Sequence, residues 1–226
     1  MTSKTDMVMM FLGRVFLWVL FLFALLYFTG ERGNSQSFAN VEVIPVRDEE
    51  KARSAFDIAK KRNVLILFRT PEGQGYGSGV IVETGLVLTA KHMGERPYTE
   101  FQINGKPAKV VAQSATYDVM LLSASTAKFG KAKLQEKTYL GEPVFYVGNP
   151  EEHNGLLSRG HVVFLGDGGI HTDTLGAMGF SGSGLWNEKG ELIGIQVTME
   201  GFDVVGFKLS IAVPIAEAKK LLKGVK

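Results

Sequence analysis

The stretch GFSGSGLW, Gly179 to Trp186, places two serines among three glycines immediately before an apolar segment. A serine hydroxyl is a weak nucleophile until a base removes its proton and hydrogen-bond donors stabilise the oxyanion that forms. Glycines allow a sharp turn in which successive backbone N–H groups can point toward one position. Most Gly/Ser turns are only turns, so a catalytic role for Ser181 depends on a base and an acid elsewhere in the chain.

A base and an acid are available at His92 and Asp118. His92 follows two short apolar segments joined by a turn, and Asp118 directly precedes the apolar run VMLLS. Each residue alone would be interpreted as structural. With Ser181 they follow the chain order His, Asp, Ser, in which the histidine accepts the serine proton and the aspartate orients the imidazole. Ser183 breaks the G-x-S-x-G elbow of the α/β hydrolases, whose catalytic residues also follow a different order.

Composition argues against several other kinds of chemistry. The chain has no cysteine, which excludes disulfides, thiol catalysis and Cys-ligated zinc. Its formal net charge is +2 without an extended basic segment, so nothing favours nucleic acid as a partner. The segment GQGYGSG (73–79) lacks the Lys-Ser/Thr of a phosphate loop and is predicted to be a loop beside the site. The other histidines lack metal-ligand spacing, so we expect no metal and no cofactor; they are His153, His161 and His171.

Short β-rich runs separated by Gly, Asn or Asp dominate the chain after Asn63. The predicted strands are 64–68, 79–82, 86–89, 119–123, 143–147, 161–165, 191–197 and 207–213. Their spacing predicts an all-β sandwich or barrel rather than alternating βα units. Two helices flank them. Residues 49–62 have apolar side chains at helical spacing, and Pro214 opens a final helix with an apolar face.

The N-terminal segment from Met7 to Phe28 is apolar, with Arg14 as its only charge. Its length is sufficient for a helix that crosses about 30 Å of hydrocarbon, so we predict a single-pass transmembrane anchor within residues 1–28. A cleaved secretory signal is the alternative. The distribution of positive charges places the remaining chain outside the cytoplasm, in the periplasm or extracellular space, after a polar tether over residues 29–48.

Five separate motifs of the chain resemble those of the trypsin-like serine proteases. GSGVIVETGLVLTAKHM is similar to the segment that leads to LTA-x-H in that family, YDVMLL resembles DIALL, and GFSGSGLWNEKGELIGI resembles GNSGGPL followed by G-x-LIGI. VGNP (147–150) and VGFKLSIAVPI (205–215) resemble the HtrA/DegS-like branch more narrowly. The resemblance spans roughly residues 63 to 215.

The resemblance implies a fold and a reaction. The fold is a chymotrypsin-like double β-barrel in a protease domain over residues 49–226, with barrel 1 at about 63–135, barrel 2 at about 138–215 and a C-terminal helix at 214–223. The reaction is hydrolysis of peptide bonds in polypeptide substrates through an acyl-enzyme, in protein quality control or regulated processing. Homo-oligomers are common among relatives, and no PDZ-like segment is expected after Lys226.

The resemblance also implies roles for particular residues. Ser181 is the nucleophile, His92 the base and Asp118 the orienting acid, while the backbone N–H groups of Gly179 and Ser181 form the oxyanion hole. The floor of the P1 pocket falls on Leu175. Its wall, along which an extended substrate would add a strand, consists of Val197, Thr198 and Met199. Because no acid lies at the floor, we expect an uncharged P1 residue that is small to medium in size and apolar.

The chain departs from the family pattern next to the catalytic residues. Lys91 and Met93 flank the histidine, Phe180 replaces the usual Asn or Asp before the serine, and Ser183 replaces the second glycine. Phe180 and Ser183 border the nucleophile and could reshape the oxyanion hole. Two alternatives therefore stay open: a pseudoprotease that serves as a binding or scaffolding module, and a self-processing or viral-type protease.

Overall fold

The structure, a computed structural model, describes residues 49–95, 99–150, 153–166, 169–202 and 207–225. The predicted transmembrane anchor over 1–28 and the polar tether over 29–48 lie outside the described residues. The helices of the described residues are too short or too polar to span a bilayer. All described residues belong to one compact unit, Val46–Lys226.

The first six strands close into an antiparallel barrel in the order β1-β2-β3-β6-β5-β4. In β1 the side chains alternate between the barrel interior and the outside, and Val64 and Ile66 are buried. Fully buried leucines from facing strands fill the interior with them, among them Leu88 and Leu121. The strands are β1 (Asn63–Thr70), β2 (Gly73–Glu83), β3 (Leu86–Thr89), β4 (Glu100–Ile103), β5 (Lys106–Gln113) and β6 (Met120–Ser123).

The last six strands close into a second antiparallel barrel in the order β10-β11-β12-β9-β8-β7. Its core contains the fully buried Tyr146 and Leu185 together with Ile193. The strands are β7 (Pro143–Gly148), β8 (Leu156–Gly166), β9 (Gly169–Thr172), β10 (Gly184–Asn187), β11 (Leu192–Phe202) and β12 (Phe207–Pro214). The prediction of an all-β double barrel with a C-terminal helix is therefore confirmed.

Irregular pairing bends individual strands so that the barrels close. The register of β2 against β3 shifts between Ile81 and Glu83, and that of β11 against β12 shifts between Gln196 and Thr198. Such bulges increase local twist and turn the strand at a barrel corner. The second bulge has Val197 at its centre, in the segment where substrate is expected to bind.

Helices lie at both ends of the described chain. Helix α1 (Glu49–Arg62) agrees with its prediction and buries Ala55 and Ala59. At its end, the Arg62 guanidinium donates hydrogen bonds to three carbonyl groups, which belong to Ile81, Gly130 and Lys131. The C-terminal segment predicted to be one helix is instead α2 (Ile215–Ala218) followed by a 3₁₀ helix (Lys219–Gly224) in which no side chain is buried.

The prediction that residues 73–79 form a loop is wrong, because they form the first part of β2. Two of the glycines in this segment are explained by close packing of neighbouring side chains against the strand. A Cβ atom at Gly77 would lie 2.3 Å from Met93 Sδ, and one at Gly79 would lie 2.6 Å from Val87 Cγ1. Four further strands were not predicted: β4, β5, β9 and β10.

Candidate active site

His92 lies in a 3₁₀ helix (Lys91–Gly94) that follows the carboxyl end of β3. Ala90, just before this short helix, and Met93, within it, anchor the segment. Ala90 is fully buried, and Met93 packs against Gly77, which has no side chain. The His92 side chain retains 37 % of its accessible surface. It is therefore held firmly at its base and open to a substrate on its outer side.

Asp118 stands just before β6, whose first residue, Met120, pairs with Thr89 at the end of β3. This pairing brings the aspartate beside His92. The Asp118 Oδ2 atom lies 2.6 Å from His92 Nδ1, and Oδ1 accepts a hydrogen bond from the His92 backbone N–H at 2.7 Å. An ionised carboxylate can only accept hydrogen bonds, so the proton is assigned to Nδ1, and Nε2 is the basic nitrogen.

The hydrogen bond to Asp118 raises the pKa of His92 above its ordinary value of 6.5. Partial burial acts in the opposite direction, while the negative charges of Asp118 and Glu95 add to the increase. The net effect favours the imidazolium form. A histidine that accepts a proton from a serine during catalysis requires this kind of stabilisation.

Local hydrogen bonds order the loop that carries Asp118. The Ser114 hydroxyl accepts hydrogen bonds from the backbone N–H groups of Thr116 and Tyr117. Lys91 Nζ donates to the Ser114 carbonyl at 3.2 Å, and the Lys91 N–H donates to the Asp118 carbonyl at 3.4 Å. The lysine that departs from the family pattern thus connects the histidine segment to the aspartate loop.

Two consecutive turns shape the chain around Ser181. The Phe180 N–H donates to the Ala177 carbonyl at 3.1 Å, and the Ser183 N–H donates to the Phe180 carbonyl at 2.8 Å. The third residue of each turn is a glycine with positive φ, +95° at Gly179 and +86° at Gly182. A positive φ at this position is characteristic of type II turns and favours glycine. The glycines of GFSGSG are therefore required by the backbone.

The turns leave the backbone N–H groups of Gly179 and Ser181 without an acceptor within the part of the chain that the structure describes. The carbonyl groups of the same two residues are engaged. Ser78 Oγ donates to the Gly179 carbonyl at 2.7 Å, and the Ser78 N–H donates to the Ser181 carbonyl at 2.8 Å. Two unpaired N–H groups beside a serine hydroxyl form an arrangement that can stabilise an oxyanion.

The two unusual residues of the loop, Phe180 and Ser183, both point into the protein. The Phe180 side chain is 2 % exposed and belongs to the core of the second barrel. Ser183 is fully buried, and its hydroxyl has no hydrogen-bond partner among the described residues. Gly148 makes room for both, since a Cβ there would lie 2.6 Å from Phe180 Cδ1 and 2.5 Å from Ser183 Oγ. Burial of Ser183 leaves Ser181 as the accessible hydroxyl of the stretch.

His92 and Ser181 line two clefts, of about 540 and 450 Å³. The first cleft extends over β1 and β2, and the second extends along β11. Further residues of the first cleft include Phe68, Thr70, Gly75, Tyr76, Met93 and Gly179. Further residues of the second cleft are Asp118, Ala177, Met178, Gln196, Val197, Thr198 and Met199. No hydrogen bond joins the Ser181 hydroxyl to the His92 ring in the described structure.

Leu175 lines neither cleft, whereas every other residue predicted for the site lines at least one of them. Its side chain is 80 % exposed. The space beside it is occupied by Met199, because a Cβ at Gly176 would lie 2.3 Å from Met199 Sδ and 2.9 Å from Ser210 Oγ. Phe68 and Tyr76, which line the first cleft, were not predicted to belong to the site. Strand alternation indicates which face each side chain takes, but it cannot indicate which face borders a cleft.

The sequence is similar to those of known serine proteases. The profile of the trypsin-like peptidase domain matches residues 77–195. A probable periplasmic serine endoprotease DegP-like of Pseudomonas putida is 30 % identical over 174 residues, which are 69 % of this chain and 36 % of the relative. A protein with the same description from Buchnera aphidicola is 29 % identical over 158 residues, which are 62 % of this chain and 34 % of the relative. The chain thus spans about a third of the length of these curated relatives.

Solved structures share the fold. The serine endoprotease from Yersinia pestis superposes with a TM-score of 0.65 at 24 % sequence identity, covering 76 % of this chain and 65 % of that chain. The HtrA-type protease AlgW with tripeptide gives a TM-score of 0.65 at 20 % identity, covering 77 % of this chain and 63 % of that chain. At these identities the similarity is evidence for the fold alone.

Proposed function

The chain belongs to the trypsin-like peptidase domain family, and from this premise we propose that it is a serine endopeptidase acting through His92, Asp118 and Ser181. One observation carries the proposal. A hydrogen-bonded His92–Asp118 pair lines the same cleft as Ser181, whose loop leaves two backbone N–H groups unpaired among the described residues. These groups are a base with an oriented ring, an accessible hydroxyl and donors for an oxyanion, which are the requirements of acyl transfer.

The proposed reaction begins with attack of Ser181 Oγ on a peptide carbonyl carbon while His92 Nε2 accepts the hydroxyl proton. The N–H groups of Gly179 and Ser181 stabilise the negatively charged oxygen of the tetrahedral intermediate. His92 then gives the proton to the leaving amine as the C–N bond breaks, and an ester to Ser181 remains. Water repeats the sequence, with His92 again as the base, and releases the carboxylic acid. Asp118 stays ionised and stabilises the imidazolium throughout.

The substrate would be an extended polypeptide lying along Val197, Thr198 and Met199. These residues line the second cleft at the bulged part of β11, where an added strand could form backbone hydrogen bonds. Leu175 is not included in the proposed pocket, because its side chain is largely exposed. With Met199 close to Gly176, the P1 pocket would accept a small apolar side chain.

We further propose that the apolar segment Met7–Phe28 anchors the protein in a membrane, with the protease domain on the periplasmic or extracellular side. The sequence of that segment and the periplasmic description of the relatives support this location. A role in protein quality control or in regulated processing fits an endopeptidase at that location. Assembly into a homo-oligomer is a further prediction from the resemblance.

A fluorophosphonate probe tests the proposal, because such reagents react with serines that an adjacent base has activated. We expect the full-length chain to be labelled at Ser181, with no labelling of a folded Ser181→Ala variant. Cleavage of an unfolded protein such as casein should disappear in the same variant. Absence of labelling in folded wild-type protein would contradict the proposal.

A pseudoprotease that binds peptides without cutting them is the second candidate. It is favoured by the lack of a hydrogen bond between the Ser181 hydroxyl and the His92 ring in the described structure. Catalytic hydrogen bonds are often long before substrate binds and shorten in the complex, so we rank this candidate below the enzyme. Peptide binding by the wild-type protein without labelling or cleavage would reverse the ranking.

A further inference from the structure

Ser78 is a fully buried residue of β2 that contacts the Ser181 loop at two points. Its hydroxyl donates a hydrogen bond to the Gly179 carbonyl at 2.7 Å, and its N–H donates to the Ser181 carbonyl at 2.8 Å. Its own carbonyl accepts a hydrogen bond from Thr89 Oγ1 at 2.6 Å. A residue of the first barrel therefore holds a loop of the second barrel on both sides of Phe180.

Asn149, at the end of β7, determines the direction of the Ser78 hydroxyl. Its backbone N–H and its side-chain Nδ2 both lie within hydrogen-bond distance of Ser78 Oγ, at 2.9 and 3.2 Å. A hydroxyl has one proton and two lone pairs. Because Asn149 supplies donors for the lone pairs, the single proton of Ser78 is directed to the Gly179 carbonyl.

The Asn149 side chain is itself fixed by contacts with both barrels. It is 2 % exposed, and its Nδ2 donates to the Val64 carbonyl at 2.9 Å. Its Oδ1 accepts hydrogen bonds from Asn63 Nδ2 at 2.8 Å and from the Gly155 N–H at 3.1 Å. A buried side chain with this many hydrogen-bond partners has one stable orientation, which in turn fixes the orientation of the Ser78 hydroxyl.

We propose that Ser78 and Asn149 are positioning residues that keep the oxyanion hole open. The proposal rests on the proposed endopeptidase function. The Gly179 N–H belongs to the central peptide of the turn from Ala177 to Phe180, and the conformation of Gly179 decides which way that peptide points. The Ser78 hydroxyl holds the carbonyl on the other side of Gly179. Without this hydroxyl, the Gly179 carbonyl would lose its buried donor, and rotation of its peptide toward another donor would also move the Phe180 N–H. The turn hydrogen bond from the Phe180 N–H to the Ala177 carbonyl would then break, and the Gly179 N–H would lose the orientation that the turn gives it.

The test compares Ser78→Ala and Asn149→Ala with Ser158→Ala in the full-length protein. Ser158 is a suitable control because it is a buried serine of the second barrel whose hydroxyl has no partner among the described residues. For the two positioning variants we expect kcat on a peptide amide to fall by about 10- to 100-fold, somewhat less than the loss of a whole oxyanion donor, with KM changed by less than about 3-fold. A peptide aldehyde, which forms a tetrahedral adduct, should bind more weakly by the same factor as kcat/KM.

Two further measurements separate positioning from general damage. Ser78→Cys, which keeps a weak donor at the same place, should recover part of the kcat lost in Ser78→Ala. The Kd for an uncleaved peptide should be the same in the Ser78→Ala/Ser181→Ala double variant as in Ser181→Ala alone. If Ser78→Ala does not fold, Ser78→Cys and Asn149→Ala carry the comparison.

The outcomes distinguish failure of this proposal from failure of the proposed function. A folded Ser78→Ala protein with wild-type kcat and aldehyde affinity overturns the positioning role. Equal losses in Ser158→Ala overturn it too, because the effect would then follow from any lost buried hydroxyl. If wild-type protein shows no fluorophosphonate labelling, the endopeptidase function itself fails, whatever the variants do.

Discussion

At the scale of single residues, the His92–Asp118 pair is the most sharply defined part of the site. Both carboxylate oxygens of Asp118 are used, one by the ring Nδ1 and one by the backbone N–H of His92. In Asp118→Asn the amide oxygen can keep the backbone hydrogen bond, which leaves the NH₂ group facing Nδ1. The ring must then carry its proton on Nε2, where it cannot accept one from Ser181.

We therefore expect Asp118→Asn to fold normally and to lose about 10³- to 10⁴-fold in kcat. Steady-state kinetics on a peptide substrate measure the loss, and the melting temperature provides the control for folding. Turnover within 10-fold of wild type would count against Asp118 as the orienting acid.

The pH dependence of activity follows from the pKa of His92, which its contact with Asp118 raises above 6.5. Catalysis needs the unprotonated ring, so activity should fall as the pH is lowered through this raised pKa. The acid limb of kcat/KM should thus have its midpoint above 6.5, and Glu95→Gln should lower the midpoint because Glu95 contributes to the increase. A midpoint at or below 6.5 in wild-type protein would show that the pair does not control the reaction.

Met199 is expected to limit the size of the P1 side chain, because its sulfur lies over Gly176 in the second cleft. Met199→Ala should increase the kcat/KM for a peptide with P1 phenylalanine, relative to one with P1 alanine, by at least about 10-fold. Leu175→Ala is the control that distinguishes a pocket limited by Met199 from the pocket with Leu175 as its floor that the sequence predicts. If Leu175 were the floor, its truncation rather than that of Met199 would change the preference.

At the scale of elements, the loop between β9 and β10 is anchored by an aromatic side chain. Phe180 fills the core of the second barrel beside Tyr146 and Leu185, while its neighbours Gly179 and Ser181 face the cleft. Burial of the phenyl ring thus stabilises the barrel and the loop that carries Ser181 together. The usual polar residue at this position could not gain the same burial energy.

Phe180→Ala should lower the free energy of unfolding by about 3–5 kcal/mol, the range for loss of a buried aromatic ring. Urea unfolding measures this change. Tyr139→Ala is the matched control, because Tyr139 is 60 % exposed and its truncation should alter stability by less than about 0.5 kcal/mol. Labelling by the fluorophosphonate should slow in Phe180→Ala, and unchanged stability and labelling would contradict the anchor.

The elements that could be predicted are those whose sequences carry a strong local signal. Eight strands with apolar or β-branched runs are present, and α1 agrees with its apolar spacing. The missed strands lack such signals. In β5 the burial pattern is almost entirely exposed, and β9 (GIHT) and β10 (GLWN) each begin with glycine and contain no apolar run of three residues. Barrel closure, rather than local preference, stabilises these strands.

At the scale of the whole molecule, the sequence indicates which residues could act together but not how they are held. Chain order and motif resemblance identify His92, Asp118 and Ser181 as candidates. The link from Asn149 through Ser78 to Gly179 depends on how closely the two barrels approach each other. No spacing rule connects residues that are 71 and 101 positions apart, so this link is not predictable from the sequence.

The N-terminal apolar segment and the rest of the chain should be separable, the first needed for location and the second for folding. Because the described residues contain two closed barrels with buried cores, we expect a chain lacking residues 1–28 to stay folded and soluble. The full-length chain should instead sediment with membranes, as an apolar segment of that length requires.

Cell fractionation measures where each chain is found, and fluorophosphonate labelling measures whether its serine is reactive. Equal labelling of the full-length and truncated chains would show that the anchor serves location only. If the truncated chain is insoluble or unfolded, the prediction of a tether before an independently folded domain is wrong. If full-length protein is recovered in the soluble fraction with an intact N-terminus, the membrane anchor is excluded. Recovery of a soluble form whose mass shows removal of the N-terminal segment would instead favour a cleaved secretory signal.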